Sequence, residues 1–202
     1  MTRKVNFSFD LPEIERTDLE VTSSRFYELP PHIWRVWDNF DAVLPDPPVG
    51  ADDLGINGGT FATATPAIET HDVKTTSSTS YARALFTLPP EYITAGAATI
   101  TAHAGVTGAV ASSSMTMDFK AYIMNNEGGI TVPTDATNDI VRTAAQSINN
   151  LTLATKTYTV YVVDLGPGSR LDIRMALTWV DANAVTMTGI VGKVGLNLDI
   201  RG

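Results

Sequence analysis

The 202-residue chain contains no cysteine. Disulfides, thiolate metal sites and thiol nucleophiles are thereby excluded, and stability has to come from burial, hydrogen bonding or association. Histidine is scarce: His32, His71 and His103 are the three, and none stands at the HxH, HxxH or HxxxH spacing that gathers two imidazoles around a metal. Positive charge is in deficit, with 14 Lys and Arg against 22 Asp and Glu, a formal net charge of −8. No Lys/Arg cluster offsets this, so a phosphate backbone would be repelled and nucleic acid is not expected as a partner. No apolar run approaches the ~20 residues that carry a helix across a bilayer, so no membrane partner is expected either. The opening MTRKVNFSFDLPEIERTD has a basic start without an apolar block behind it, and Asp10, Glu13 and Glu15 arrive too early for a secretory signal. The mature chain is expected to begin near Met1.

Catalytic signatures are missing as well. No GxSxG elbow surrounds a serine, and no glycine-rich phosphate loop precedes a helix. The stretch ADDLGINGG, residues 51–59, collects carboxylates, an amide and glycines, but lacks the alternating carboxylate spacing of a calcium loop and reads as a solvated connector. His103 falls on the polar side of its strand pattern, and His71 and Asp72, as neighbours in an extended segment, point to opposite faces. The sequence therefore assigns no catalytic residue, no metal ligand and no cofactor, and an enzyme is the least favoured class.

What the chain has in abundance is the period of two. In RLDIRMALTWVD, residues 170–181, Leu171, Ile173, Met175, Leu177 and Trp179 alternate with Asp172, Arg174 and Thr178. Successive side chains of a strand project to opposite sides, so this is a strand with one buried face. GPGS before it is a turn. Met115, Met117, Phe119, Ala121 and Ile123 repeat the pattern against Thr116, Asp118 and Lys120, and the last strand sets Ile190, Val194, Leu196, Leu198 and Ile200 inward. Strands are predicted at 66–73, 81–88, 99–106, 115–124, 139–148, 156–163, 170–181 and 188–201, with turn-rich segments between them. Eight strands without intervening helices imply an all-β fold, an eight-stranded two-sheet jelly-roll-like sandwich over residues 61–202, with an immunoglobulin-like arrangement as the alternative topology since strand count does not fix it.

Residues 1–60 have a different character. They hold six of the 11 prolines and, within HIWRVWDNFDAVLP, two of the three tryptophans. Proline fixes φ and removes donors, so an extended N-terminal arm is expected, lying on its own domain or on a neighbour. Trp34, Trp37 and Phe40, with Ile33, are its candidate partner-binding anchors, since large aromatics are the usual anchors of interfaces. Ile33, Trp34 and Trp37 also have the spacing of one helical turn. Trp179 continues an inward row and is read as core.

From about Asp52 to Gly202 the chain resembles the small jelly-roll structural proteins of tailed-bacteriophage virions, of the capsid cement or decoration type. The resemblance is carried by DDLGINGGTF (52–61), YARALFTLPPEYITAG (81–96), ITAHAGV (100–106), MDFKAYIMNNEGGI (117–130), RTAAQSINNLT (142–152), GPGSRLDIRMALTWVD (166–181) and VGLNLDIRG (194–202). It implies a non-enzymatic homotrimer, assembled in the bacterial cytoplasm, that binds the major capsid protein and neighbouring copies of itself on the capsid surface. It implies no catalytic residues. A carbohydrate-binding or host-recognition module of a tail fibre is the alternative. That reading requires a groove lined by exposed aromatics, for which Tyr81, Tyr92, Tyr122, Tyr158 and Tyr161 are the candidates.

Overall fold

The computed structural model describes residues 22–49, 52–60, 64–71, 77–108, 114–124, 139–180 and 187–201. Ten strands are found among them: β1 (Thr22–Glu28), β2 (Gly55–Asn57), β3 (Ala67–Glu69), β4 (Ser77–Thr87), β5 (Ala98–Val106), β6 (Ser114–Ile123), β7 (Gln146–Ser147), β8 (Ala154–Thr159), β9 (Arg170–Val180) and β10 (Gly189–Arg201). They form two antiparallel sheets. The larger has the order β2-β3-β10-β5-β8, with β1 also paired to β10, and the smaller has the order β4-β9-β6-β7. The architecture is a two-sheet jelly-roll-like sandwich, the fold class the alternation predicts.

The alternating rows fill the interlayer. Met115, Met117, Phe119 and Ala121 of β6 and Leu171, Ile173, Met175, Leu177 and Trp179 of β9 are buried against Ile100, Ala102 and Ala104 of β5 and Val194, Leu196 and Leu198 of β10. Tyr158 from β8 stands edge-on to Phe119, ring centroids 4.9 Å apart, and donates its hydroxyl hydrogen to the Met117 carbonyl at 2.7 Å. It thereby ties one sheet to the other.

Three expectations are corrected by the structure: one strand, one side-chain facing and the separation of the arm. The segment 139–148 is not a strand along its length, and only Gln146–Ser147 pair as β7. Its backbone is divided between layers: Ile140 and Ile148 donate to Ala121 and Met115 of the smaller sheet, while Arg142 donates to Thr159 of the larger. Side-chain alternation cannot distinguish such a bridge from a strand. In β10 the register shifts between Val191 and Lys193, a bulge that moves Val191 into the core and leaves Ile190 half-exposed. The third correction concerns residues 1–60. The described part of the expected arm does not separate from the sandwich at residue 60, because β1 and β2 belong to the larger sheet and Leu29, Trp34, Leu44 and Leu54 are core residues. Residues 1–21 lie outside the described residues.

The segment between β1 and β2 crosses from one sheet to the other. It leaves β10 at Leu29, whose N–H bonds the Val194 carbonyl, makes one 3-10 turn at Pro31–Ile33, and reaches the free edge of β4. There Arg35 and Arg83 exchange both backbone hydrogen bonds, Leu54 donates to Tyr81, and Tyr81 donates to Asp52. An edge strand exposing unpaired N–H and C=O groups is thus covered by the chain's own strap.

Two buried tyrosines are expected to make the sandwich alkali-sensitive. Burial, and then the Asp199 charge, push the Tyr92 hydroxyl up to about 12, and burial followed by the Asp118 charge raises Tyr158. In the unfolded chain these groups lose their protons near pH 10, so unfolding releases protons above that pH. The stability each contributes is complete below pH ~10 and is lost as the pH rises through the folded value. Urea midpoints are expected to hold to about pH 9.5 and then fall, with Tyr92 alone accounting for about 2 kcal/mol by pH 12. A midpoint unchanged from pH 9 to 12 would contradict the burial.

Candidate functional site

The smaller sheet turns its other face outward. In β4 that face carries Thr79, Tyr81, Arg83 and Leu85, in β9 Asp172, Arg174, Ala176 and Thr178, and in β6 Thr116, Asp118, Lys120 and Tyr122. The register sets these side chains in rows across the strands. Tyr81, Ala176 and Asp118 share one row, Arg83, Arg174 and Lys120 the next, and Leu85, Asp172 and Tyr122 the third. A cation row of this kind is unusual, since like charges directly opposite repel.

Arg83 is neutralised within the sheet. Its Nε donates to Asp172 Oδ1 at 2.7 Å and its Nη2 to Oδ2, a bidentate pair in which the Asp172 side chain is 7% exposed. The Phe40 ring, delivered by the strap, lies 5.5 Å from the same guanidinium. Arg174 is held differently. Its guanidinium carbon sits 4.9 Å from the Tyr81 ring centre and 6.0 Å from that of Trp37, while its Nε is buried without a hydrogen-bond partner. Trp37 and Tyr81 themselves stack at 5.1 Å with a 50° tilt, and Trp37 Nε1 donates to Asp52 Oδ2 at 3.0 Å. Trp37 is therefore fixed at its polar edge, with its ring half-exposed on the sheet face. Asp118 is half-buried; desolvation raises its pKa, and Asp139 adds to the shift while Lys120 and Arg174 oppose it.

Trp37, Arg83, Tyr122, Asp172 and Arg174 enclose a cleft of about 180 Å³. Larger depressions lie on the outer face of the other sheet, one of about 490 Å³ bordered by Pro66, His103, Leu153 and Ile190. That one has no Trp or Tyr in its lining. Size favours it, but a small polar group set among stacked aromatics fixes a ligand's orientation as a larger, smoother depression cannot.

The four expected anchors do not share one surface. Trp34 is fully buried, its Nε1 bonded to the Leu29 carbonyl at 3.2 Å. Ile33 is partly buried against the core. Trp37 and Phe40, in contrast, emerge on the outer face of the smaller sheet beside Arg174 and Arg83. Of the five tyrosines weighed for a groove, Tyr81 and Tyr122 converge there, Tyr92 and Tyr158 are interior, and Tyr161 lies 43% exposed beneath Arg142. Asp172 and Arg174 are visible in the sequence only as polar members of an alternating row, and Arg83 only as a residue of the predicted strand 81–88. Their convergence depends on β4 and β6 flanking β9, which no local pattern encodes. No group of three His, Asp or Glu side chains among the described residues could hold a metal ion.

No protein-family profile matches the sequence, and no curated protein matches it. Solved structures with a similar arrangement include the CBM22-1 xylan-binding domain of Paenibacillus barcinonensis Xyn10C, at 10% identity and a TM-score of 0.37 over 76% of this chain and 85% of that one. A family 16 carbohydrate-binding module matches at 9% identity and a TM-score of 0.37, covering 75% of this chain and 88% of its own. The CBM22-1–GH10 modules of Clostridium thermocellum Xyn10B, complexed with xylohexaose, match at 10% identity and a TM-score of 0.41, over 87% of this chain and 28% of theirs. At these scores the likeness carries no argument about family or ligand, and the cleft has to be judged on its own chemistry.

Proposed function

We propose that this chain binds carbohydrate on the outer face of its four-stranded sheet. The observation that carries the reading is the half-exposed Trp37, paired at a tilt with Tyr81, set against a polar cleft that also holds Tyr122, Asp172 and Arg174. A sugar ring has an apolar C–H face and a polar rim. The negative face of an aromatic ring attracts polarised C–H groups, while Tyr and Arg side chains bond the rim hydroxyls. The volume suits one ring of a longer chain, being smaller than the roughly 300–1,000 Å³ that encloses a drug-sized ligand. This favours the host-recognition alternative over the capsid-cement reading. The latter relies on four docking anchors, and of these Trp34 is interior and Ile33 partly buried, leaving Trp37 and Phe40 on the surface.

A glycan array tests it. The wild-type chain is expected to bind a defined set of glycans, and Trp37→Ala to bind the same set about tenfold or more weakly, a loss of ~1.4 kcal/mol. Thermal unfolding should show the variant still folded. Absence of any glycan binding by the wild type would sink the proposal.

A further inference from the structure

We infer that the cleft recognises an acidic saccharide, a sugar whose ring carries a carboxylate, with Arg174 as the side chain that receives the anion. The inference rests on the carbohydrate reading and deepens it. Its basis is the imbalance of donors and acceptors around the cleft. A neutral sugar rim presents hydroxyls that both donate and accept, so a site for it needs carboxylates or carbonyls as much as cations. Here the carboxylate that lines the cleft is already engaged, both oxygens of Asp172 being taken by Arg83. Outside the lining, Asp118 one row away attracts both Arg174 and Lys120, so two cations share one carboxylate and the donors remain in excess. Among the described residues Arg174 forms no ion pair, its Nε has no acceptor, and Lys120 stands next to it across the sheet without an ion pair of its own.

The placing of Arg174 also suits an anion. A guanidinium is planar and offers parallel N–H groups that match a carboxylate two to two. Stacked against Tyr81 at 4.9 Å and near Trp37 at 6.0 Å, it is oriented before any ligand arrives, and less rotamer freedom is lost on binding. Arg83, Arg174 and Lys120 occupy one cross-strand row with a single bidentate carboxylate pair, that of Arg83 with Asp172. An incoming carboxylate would relieve the part of their mutual repulsion that Asp118 does not offset. The net charge of −8 is a property of the whole chain. Within a Debye length of about 8 Å at physiological salt, the local row governs the ligand's charge.

Matched pairs of ligands separate this inference from the reading beneath it. Trigalacturonate is compared with its methyl ester, and 3′-sialyllactose with lactose, by calorimetry on the wild type, Arg174→Gln and Arg142→Gln. Arg142 supplies the control, a guanidinium over Tyr161 at 4.7 Å outside the cleft. The expected result is that, in at least one pair, the acid binds about tenfold or more tightly than its neutral twin, as charge-assisted bonds predict. Arg174→Gln should erase that preference, Arg142→Gln should keep it, and raising the salt should weaken only the acid. If neutral members bind as well as the acids, or if Arg174→Gln keeps the preference, the inference fails and the carbohydrate reading stands. If neither pair nor any glycan on the array binds, both fail together.

Discussion

Replacing Arg83 by alanine is expected to lower the free energy of unfolding by about 3 kcal/mol, with binding left out of the measurement altogether. Asp172, the third residue of β9, has 5% of its surface exposed, and both of its oxygens accept from Arg83. Removing the arginine strands a carboxylate away from water. Breaking a buried pair from one side costs about 3–5 kcal/mol because the remaining charge is uncompensated. The Arg83 side chain is 29% exposed, so water already screens part of the interaction and the lower end of that range applies. For a chain of this length each kcal/mol moves the melting temperature by about 2–4 °C, so a fall of roughly 6–12 °C should be visible by calorimetry. Arg174, two residues along the same strand, is held by Tyr81 and Trp37 and is not placed as a substitute. The double variant Arg83→Met, Asp172→Leu should recover most of the loss, because an apolar pair of similar volume often matches a buried ion pair. A single variant within about 1 kcal/mol of wild type would show instead that the pair is solvated.

This pair illustrates what the sequence could and could not disclose. Asp172 and Arg174 were placed correctly on the polar side of β9 by the period of two, and the same alternation put Asp118 and Lys120 outward on β6. That reading is local, because it needs only the geometry of one strand. The partner of Asp172 is Arg83, 89 residues away, and it becomes a neighbour only because β4 lies beside β9. The same holds for Tyr81 and Tyr122, which share the outer face on either side of β9 while Tyr92 and Tyr158 go inward. Five tyrosines in strand-like surroundings look alike until the sheet order is known. Segment 139–148 failed for a related reason. Its apolar residues Ile140, Val141 and Ile148 are indeed buried, but its hydrogen bonds are shared between two sheets, and burial does not reveal which carbonyls a segment meets. The proline-rich strap was harder still. Trp34 and Trp37 are three residues apart without any periodicity around them, so nothing local says that one enters the core and the other lines a cleft.

Trp34→Ala and Trp37→Ala should therefore behave oppositely. Trp34 is fully buried among the core residues of the sandwich, and its indole N–H satisfies the Leu29 carbonyl. Truncation leaves a cavity as well as an unmet acceptor, and large aromatic-to-alanine changes of this kind cost about 3–5 kcal/mol. Against a total stability of about 5–15 kcal/mol, that is enough to unfold a sizeable share of molecules near 37 °C. The strap would also lose its inner fixing point, and with it the placement of Trp37 over Tyr81, so glycan binding should fall as a consequence of unfolding. Trp37 is half-exposed, and its loss should move stability by no more than about 1 kcal/mol while removing the stacking face itself. Urea unfolding of the two variants beside their glycan affinities separates the roles. A Trp34→Ala chain as stable as wild type would mean that this tryptophan is free to meet a partner, and the strap would return to being an arm.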